Sequence, residues 1–192
     1  LSLIAPECQP RPYRVRPAAQ GDLHQLADIL TSSFYGATGW QSWAYPLLRI
    51  GIHEDLKQRF RHAPPHYVCL AGVSASAQAD WIVGTVELAP KRRAWQSGSA
   101  HQLYLSNLAV RSAYRRTGVA RQLLMACEHV AHRGGFAEIY LHVMEDNRAA
   151  RQLYTQAGYQ LEQAEVNLFT LLGKPRRLRL RKALSSDSLG VT

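Results

Sequence analysis

Between residues 103 and 159 the chain changes periodicity in an order that few folds accept. Leu103-Tyr104-Leu105-Ser106-Asn107-Leu108-Ala109-Val110 reads as a strand, and a basic glycine turn, Arg115-Arg116-Thr117-Gly118-Val119-Ala120, follows it. An amphipathic helix over residues 118–132 comes next and is stopped by Gly134-Gly135. A second strand spans residues 137–143, and a helix over 148–157 opens at Asn147 and carries Tyr154. This order sets a helix N-terminus directly after a strand and brings a phenol in one strand and one helix later.

The flanking sequence extends the same layered pattern. Residues 13–16 alternate as a first strand. Asp22 is expected to cap a helix whose apolar face is Leu23, Leu26, Ala27, Ile29, Leu30 and Phe34. Pro46 suits the first turn of a second helix running to Phe60, and Pro64-Pro65 ends it. Residues 66–73 and 81–88 read as paired strands, 91–99 as a polar connection, 159–162 as a short strand and 177–183 as a last strand. That last strand puts arginines on one face and leucines on the other. The sum is a mixed α/β fold with one twisted sheet and helices on its faces. One domain over residues 13–184 is expected, with an extension at 1–12 and a polar tail at 185–192.

Composition narrows the function. A length of 192 residues with 46% hydrophobic content suits a globular domain with a substantial core. Its apolar stretches are too short to cross a bilayer, so no membrane partner is expected. The start lacks the basic and apolar regions of a secretory signal. It also lacks Met, which leaves a removed targeting segment open. Cys8, Cys69 and Cys127 share no metal-ligand spacing and read as reduced thiols, and no His or Cys pattern implies a metal. The net charge of +9 comes mainly from arginine. No recognised nucleic-acid module accompanies that charge, so nucleic acid is not the expected partner.

The glycine turn carries the first chemical signal. A helix N-terminus offers unpaired N–H groups and partial positive charge to a pyrophosphate. Gly118 and Ala120 keep side chains out of the way, and Arg115 and Arg116 add full charges. The sequence has neither the GxGxxG of dinucleotide sites nor a lysine-bearing phosphate loop.

Arg115, Gly118 and Ala120 match the Q/R-x-x-G-x-G/A pattern of the GNAT superfamily of N-acetyltransferases. Asn147-Arg148-Ala149-Ala150-Arg151-Gln152-Leu153-Tyr154 followed by Gly158-Tyr159 is similar to that family's N-x-x-A-x-x-L-Y…G-F/Y pattern. The resemblance implies a central, mostly antiparallel twisted sheet with a splayed parallel strand pair and helices on both faces. It implies acetyl-CoA as co-substrate, held by Arg115, Arg116, Thr117, Gly118, Val119 and Ala120 at its pyrophosphate. Leu108, Ala109 and Val110 would lie along the pantetheine arm, with the Leu108 N–H on the thioester carbonyl as an oxyanion-type donor. Asn147 would also reach that arm, and Tyr154 would protonate the leaving thiolate. Leu108-Ala109-Val110 also suits a plain core strand, and Tyr154 a packed core tyrosine.

Residues 139–147, Ile-Tyr-Leu-His-Val-Met-Glu-Asp-Asn, resemble the matching strand of protein amino-terminal acetyltransferases, some of which deprotonate the amine with this histidine and a tyrosine one strand earlier. The counterparts here are His142 and Tyr104, with a structural histidine as the alternative. An α-amine near pKa 8 needs less help from an imidazole than a lysine near 10.4. The aromatic run Trp40, Trp43, Tyr45 and the segment Leu171-Leu172-Gly173-Lys174-Pro175-Arg176-Arg177 resemble plastid and cyanobacterial acetyltransferases. With Leu168 and Phe169 the aromatic run could line a substrate groove, although such a cluster is more often core.

These resemblances imply direct acetyl transfer to a protein or peptide α-amine, with lysine side chains as a second acceptor class. A small-molecule amine acetyltransferase and a non-catalytic acyl-CoA sensor are the alternatives. A bacterial cytoplasm is expected, or a plastid stroma if a targeting segment has been removed. Monomer and homodimer both stay open.

Overall fold

The computed structural model describes residues 13–34, 45–74, 80–92, 101–165 and 173–184. Strands β1 (Tyr13–Pro17), β2 (Val68–Ser74), β3 (Ile82–Arg92), β4 (His101–Val110), β5 (Glu138–Met144), β6 (Gln160–Glu165) and β7 (Arg177–Ala183) form one sheet in the order β1-β2-β3-β4-β5-β7-β6. Every neighbouring pair is antiparallel except β4 and β5. The helices are α1 (Leu23–Phe34), α2 (Tyr45–Arg61), α3 (Val119–Arg133) and α4 (Arg148–Gln156).

Period-two alternation assigns each face of the sheet. Leu103 and Leu105 of β4, Ile139, Leu141 and Val143 of β5, and Leu178 and Leu180 of β7 are buried in one core with Val119, Leu123, Leu124 and Cys127 of α3 and Tyr154 of α4. On the other face, α1 buries Leu23, Leu26, Ala27, Ile29 and Leu30 with Leu56 of α2 against Cys69, Ala71, Val73, Ile82 and Ala109. Beyond those two helices this second face turns polar. Lys91, Gln102, Tyr104, Tyr140, His142, Arg179 and Arg181 share it by register.

The parallel pair β4/β5 joins only at Leu103↔Ile139 and Tyr104↔Tyr140. Past Tyr104 the strands diverge, so the β5-side edge of residues 105–110 has no strand partner. β4 also carries a bulge opposite Val86, between Thr85↔Ala109 and Glu87↔Ser106, where Asn107 adopts φ 54°. Bulge and splay together re-aim the backbone of Leu108.

Several expectations change. Asp22 is the last residue of a single 3-10 turn, Gln20–Asp22, and its hydrogen bonds run backwards. It accepts the Ala19 N–H at 2.7 Å and two Arg16 N–H groups at 2.6 and 3.0 Å, tying the turn to β1 instead of capping α1 from the front. Phe34, expected on the apolar face of α1, is 54% exposed at the helix end. β3 runs on through Lys91 and Arg92, which pair with Gln102 and His101 where a polar connection was expected. β6 spans Gln160–Glu165, and β7 inserts between it and β5. Cys69 and Cys127 are buried free thiols, as expected, and burial pushes Cys69 up to about 12. Trp40, Trp43, Leu168, Phe169, Leu171, Leu172 and Cys8 lie outside the described residues. No described helix is long and apolar enough to cross a membrane.

Candidate active site

The turn after β4 is built by a short 3-10 helix, Ser112–Tyr114, and by two residues in the left-handed region, Arg116 (φ 67°) and Gly118 (φ 93°). Gly118 is required twice over: its φ disfavours a side chain, and a Cβ there would sit 2.9 Å from Tyr13 Oη. Tyr13 Oη donates to the Thr117 carbonyl at 3.0 Å and Thr117 Oγ1 to the Tyr114 carbonyl at 2.7 Å, so β1 braces the turn. No side chain caps α3, which leaves its first-turn N–H groups and dipole for an anion. Gly84 lets α3 approach closely, since a Cβ would meet Val119 Cγ1 at 2.9 Å and the Ala109 carbonyl at 3.1 Å. Arg115 and Arg116 are exposed, and Arg115 Nε donates back to the Val110 carbonyl at 3.1 Å.

The Arg111 N–H bonds the Val83 carbonyl at 2.8 Å, so strand alternation turns the Val110 amide away from β3, towards the gap. Ala109 is buried against α1, while Leu108 and Val110 are half-buried. The turn, the splayed strand and Gly118–Ala120 thus form one continuous open backbone edge ending in an uncapped helix. Such an edge offers strand-pairing groups and then anion-binding N–H groups, the donors that an extended, pyrophosphate-bearing molecule could use.

On the far side of the splay, Asn147 caps α4 by accepting the Ala150 N–H at 3.1 Å. Tyr154, two turns on, is 7% exposed and packs edge-on to Tyr159 with ring centroids 5.8 Å apart. Its hydroxyl has no hydrogen-bond partner among the described residues. Burial, with the Tyr104 phenol adding to it, pushes Tyr154 up to about 12. It therefore stays a proton donor at any working pH.

Tyr104 and His142 do meet: the Tyr104 hydroxyl hydrogen-bonds His142 Nδ1. Nothing in the residue pattern marks the third member. Glu165, at the end of β6, accepts from His142 Nε2 at 2.8 Å. That bond fixes the tautomer with its proton on Nε2 and leaves Nδ1 as the acceptor. Burial, followed by the Arg177 charge, lowers the His142 pKa despite Glu165, so the ring is neutral at neutral pH. Burial likewise raises Tyr104. Phenol, imidazole and carboxylate thus stand in hydrogen-bonded series, an arrangement that could pass a proton from Tyr104 to His142.

Between α2, β3 and β4 lies a cavity of about 660 Å³, lined among others by Arg59, Tyr67, Glu87, Lys91, Ser106 and Asn107. Its floor is Glu87, 1% exposed, which takes Arg59 Nη1 at 2.7 Å and Asn107 Nδ2 at 2.9 Å. The carboxylate thereby fastens the bulge residue to α2. Arg59→Leu should leave Glu87 buried with one neutral donor and cost about 2–4 kcal/mol, somewhat below a fully buried pair because Arg59 is partly exposed. Arg59→Leu with Glu87→Leu should recover part of that loss in urea unfolding. A single-variant loss below about 0.5 kcal/mol would mean another group neutralises Glu87. Among the described residues no His, Cys, Asp and Glu cluster suits a metal.

Comparison with known proteins agrees with this geometry. The chain is 31% identical over 140 residues to GCN5-related N-acetyltransferase 10, chloroplastic, of Arabidopsis thaliana, covering 68% of this chain and 55% of that protein. The chain thus spans about half the length of that curated relative. In structure it is similar to one chain of the NatC complex bound to Gag peptide and CoA, with TM-score 0.66, 16% identity and coverage of 90% of this chain and 99% of that one. It is also similar to the ribosomal-protein-S18-alanine N-acetyltransferase from Escherichia coli, with TM-score 0.63, 15% identity and coverage of 94% and 99%. Both show the same fold. The acetyltransferase (GNAT) family model matches residues 23–159, from α1 to the end of the α4 motif, and the chain belongs to that family.

Proposed function

We propose that this protein is an acetyl-CoA-dependent N-acetyltransferase acting on protein or peptide amines, α-amines first and lysine side chains second. The Tyr104–His142–Glu165 series beside the open β4 edge is the observation that carries this reading. A non-catalytic acyl-CoA sensor has no use for a directed proton path. Acetyl-CoA supplies an activated thioester. Arg115, Arg116 and the N–H groups of Thr117, Gly118, Val119 and Ala120 hold its pyrophosphate, and Leu108, Ala109, Val110 and Asn147 hold the pantetheine arm. The Leu108 N–H polarises the carbonyl.

His142 Nδ1 takes the acceptor amine's proton through Tyr104, and Glu165 stabilises the resulting imidazolium. Tyr154 donates at the departing sulfur. The relatives' chloroplast labels support a plastid or a cyanobacterial-type cytoplasm as the working compartment. The test is acetylome profiling: expression in a host lacking the protein should add acetyl groups to protein amino-termini, and an unchanged profile with acetylated small amines would shift the reading to small acceptors.

His142→Ala should lower kcat/KM about a hundredfold at neutral pH, and the defect should shrink as pH rises towards the acceptor's own pKa near 8, where free amine needs no base. The wild-type acid limb should fall below the ordinary imidazole value of about 6.5, because His142 is held low and loses its acceptor site only when protonated. Tyr104→Phe should behave like His142→Ala, and the double variant should lose less than the product of both. Parallel pH–rate profiles for wild type and variants would make His142 structural.

A further inference from the structure

Lys91 lies on the same sheet face as Tyr104, paired with Gln102, and its Nζ stands 3.7 Å from the Tyr104 ring centroid. It also lines the cavity that ends at Ser106 and Asn107. The neighbouring cations on this face are matched: Arg179 with Glu162 at 2.7 Å, Arg181 with Glu138 at 3.1 Å, and Arg59 with Glu87 at 2.7 Å. Arg177 is only loosely matched, 3.9 Å from Glu165, which is already engaged by His142. Lys91 has no carboxylate partner among the described residues.

The described residues have almost none to spare. Apart from Asp146 and Glu165, which holds the neutral His142 ring, each described carboxylate is engaged with a cation elsewhere. Residues 35–44, 93–100 and 166–172, which link α1 to α2, β3 to β4 and β6 to β7, contain no Asp or Glu. Desolvation and the charges of Arg177 and Arg59 all disfavour the Lys91 ammonium. A cation held in a field of like charge, with no internal counterion, is relieved by an anion from outside.

We propose that Lys91 on β3 and Arg177 on β7, on the strands that flank Tyr104 and His142, form an anion subsite selecting peptide α-amines followed within two or three residues by Asp or Glu. The proposal rests on the peptide-amine reading above. It adds a substrate class, since the amine is handled at Tyr104 and His142 while the carboxylate is read beside them. An extended acceptor rises about 3.3 Å per residue, which sets the second or third residue after the amine roughly 7–10 Å away, the scale of the two strand spacings from His142 on β5 to Lys91 on β3.

The experiment compares Ser-Ala-Glu-Glu, Ser-Ala-Gln-Gln and Ser-Ala-Lys-Lys amino-termini on one peptide body, at low and high salt, for wild type, Lys91→Gln and Lys91→Glu. The Glu peptide should exceed the isosteric Gln peptide in kcat/KM by about tenfold at low salt, or about 1.4 kcal/mol, with a smaller ratio at high salt. The ratio should approach one in Lys91→Gln and fall below one in Lys91→Glu, with acetyl-CoA binding confirming that each variant is folded. A Gln peptide turned over as well as the Glu peptide by wild type overturns the subsite while leaving amine acetylation standing. A Glu preference that survives Lys91→Glu also overturns it. If acetyl-CoA binds but none of the peptides is acetylated, the peptide reading fails and takes the subsite with it.

Discussion

Gly118→Glu is expected to weaken acetyl-CoA binding about a thousandfold. A carboxylate placed about 4 Å from a phosphate at an effective dielectric of ~20 costs about 4 kcal/mol, and each 1.4 kcal/mol is a factor of ten. The geometry adds a second effect that the sequence did not announce. Any side chain at φ 93° is strained, and its Cβ meets the Tyr13 hydroxyl that braces Thr117. Gly118→Ala carries the same strain without the charge, so its difference from Gly118→Glu isolates the electrostatic part. Calorimetric titration should give a modest loss for Ala and none of the wild-type heat for Glu. Equal affinities for the two folded variants would remove the pyrophosphate from this turn.

Tyr154→Phe should lower kcat by about a hundred- to ten-thousandfold, the range for a removed general acid, with acetyl-CoA affinity nearly unchanged. Stability should change little, because the ring keeps its packing against Tyr159 and the hydroxyl has no hydrogen-bond partner to lose among the described residues. That combination separates chemistry from packing. Since burial carries the phenol up to about 12, wild type should show no alkaline limb from this group below that pH. A fall in kcat between pH 9 and 10 that disappears in Tyr154→Phe would contradict the burial argument. A normal kcat would hand the proton to water.

What the sequence made legible was local. The strand, glycine turn, helix, strand and capped helix between Leu103 and Tyr159 follow from periodicity and turn chemistry, and each stands where it was expected. Asn147 and Gly118 announce themselves by residue type and position. The carboxylates were another matter. Glu165 reaches His142 only because β7 inserts between β5 and β6, and nothing in either strand encodes that order. Glu87 reads as one more polar residue of an alternating strand until α2 lays Arg59 over it. The left-handed Asn107 depends on a register shift against β3. Asp22 resembles a forward cap because a helix follows it, yet the Arg16 guanidinium pulls its carboxylate backwards.

The two-pair junction of β4 and β5 divides the sheet mechanically. On one side stand β1 to β4 and on the other β5, β7 and β6, and across the line cohesion passes almost wholly through side chains, chiefly the core beneath α3. The two halves share a keel more than a deck. Tyr104 sits at the last rung before the planks part, Tyr154 and His142 belong to the far half, and the Leu108 backbone belongs to the near one. A bound chain pairing along the open edge would close that seam as a removable strand. Seating such a chain would then align Tyr154 and His142 with the Leu108 backbone across the line where the sheet is least bonded.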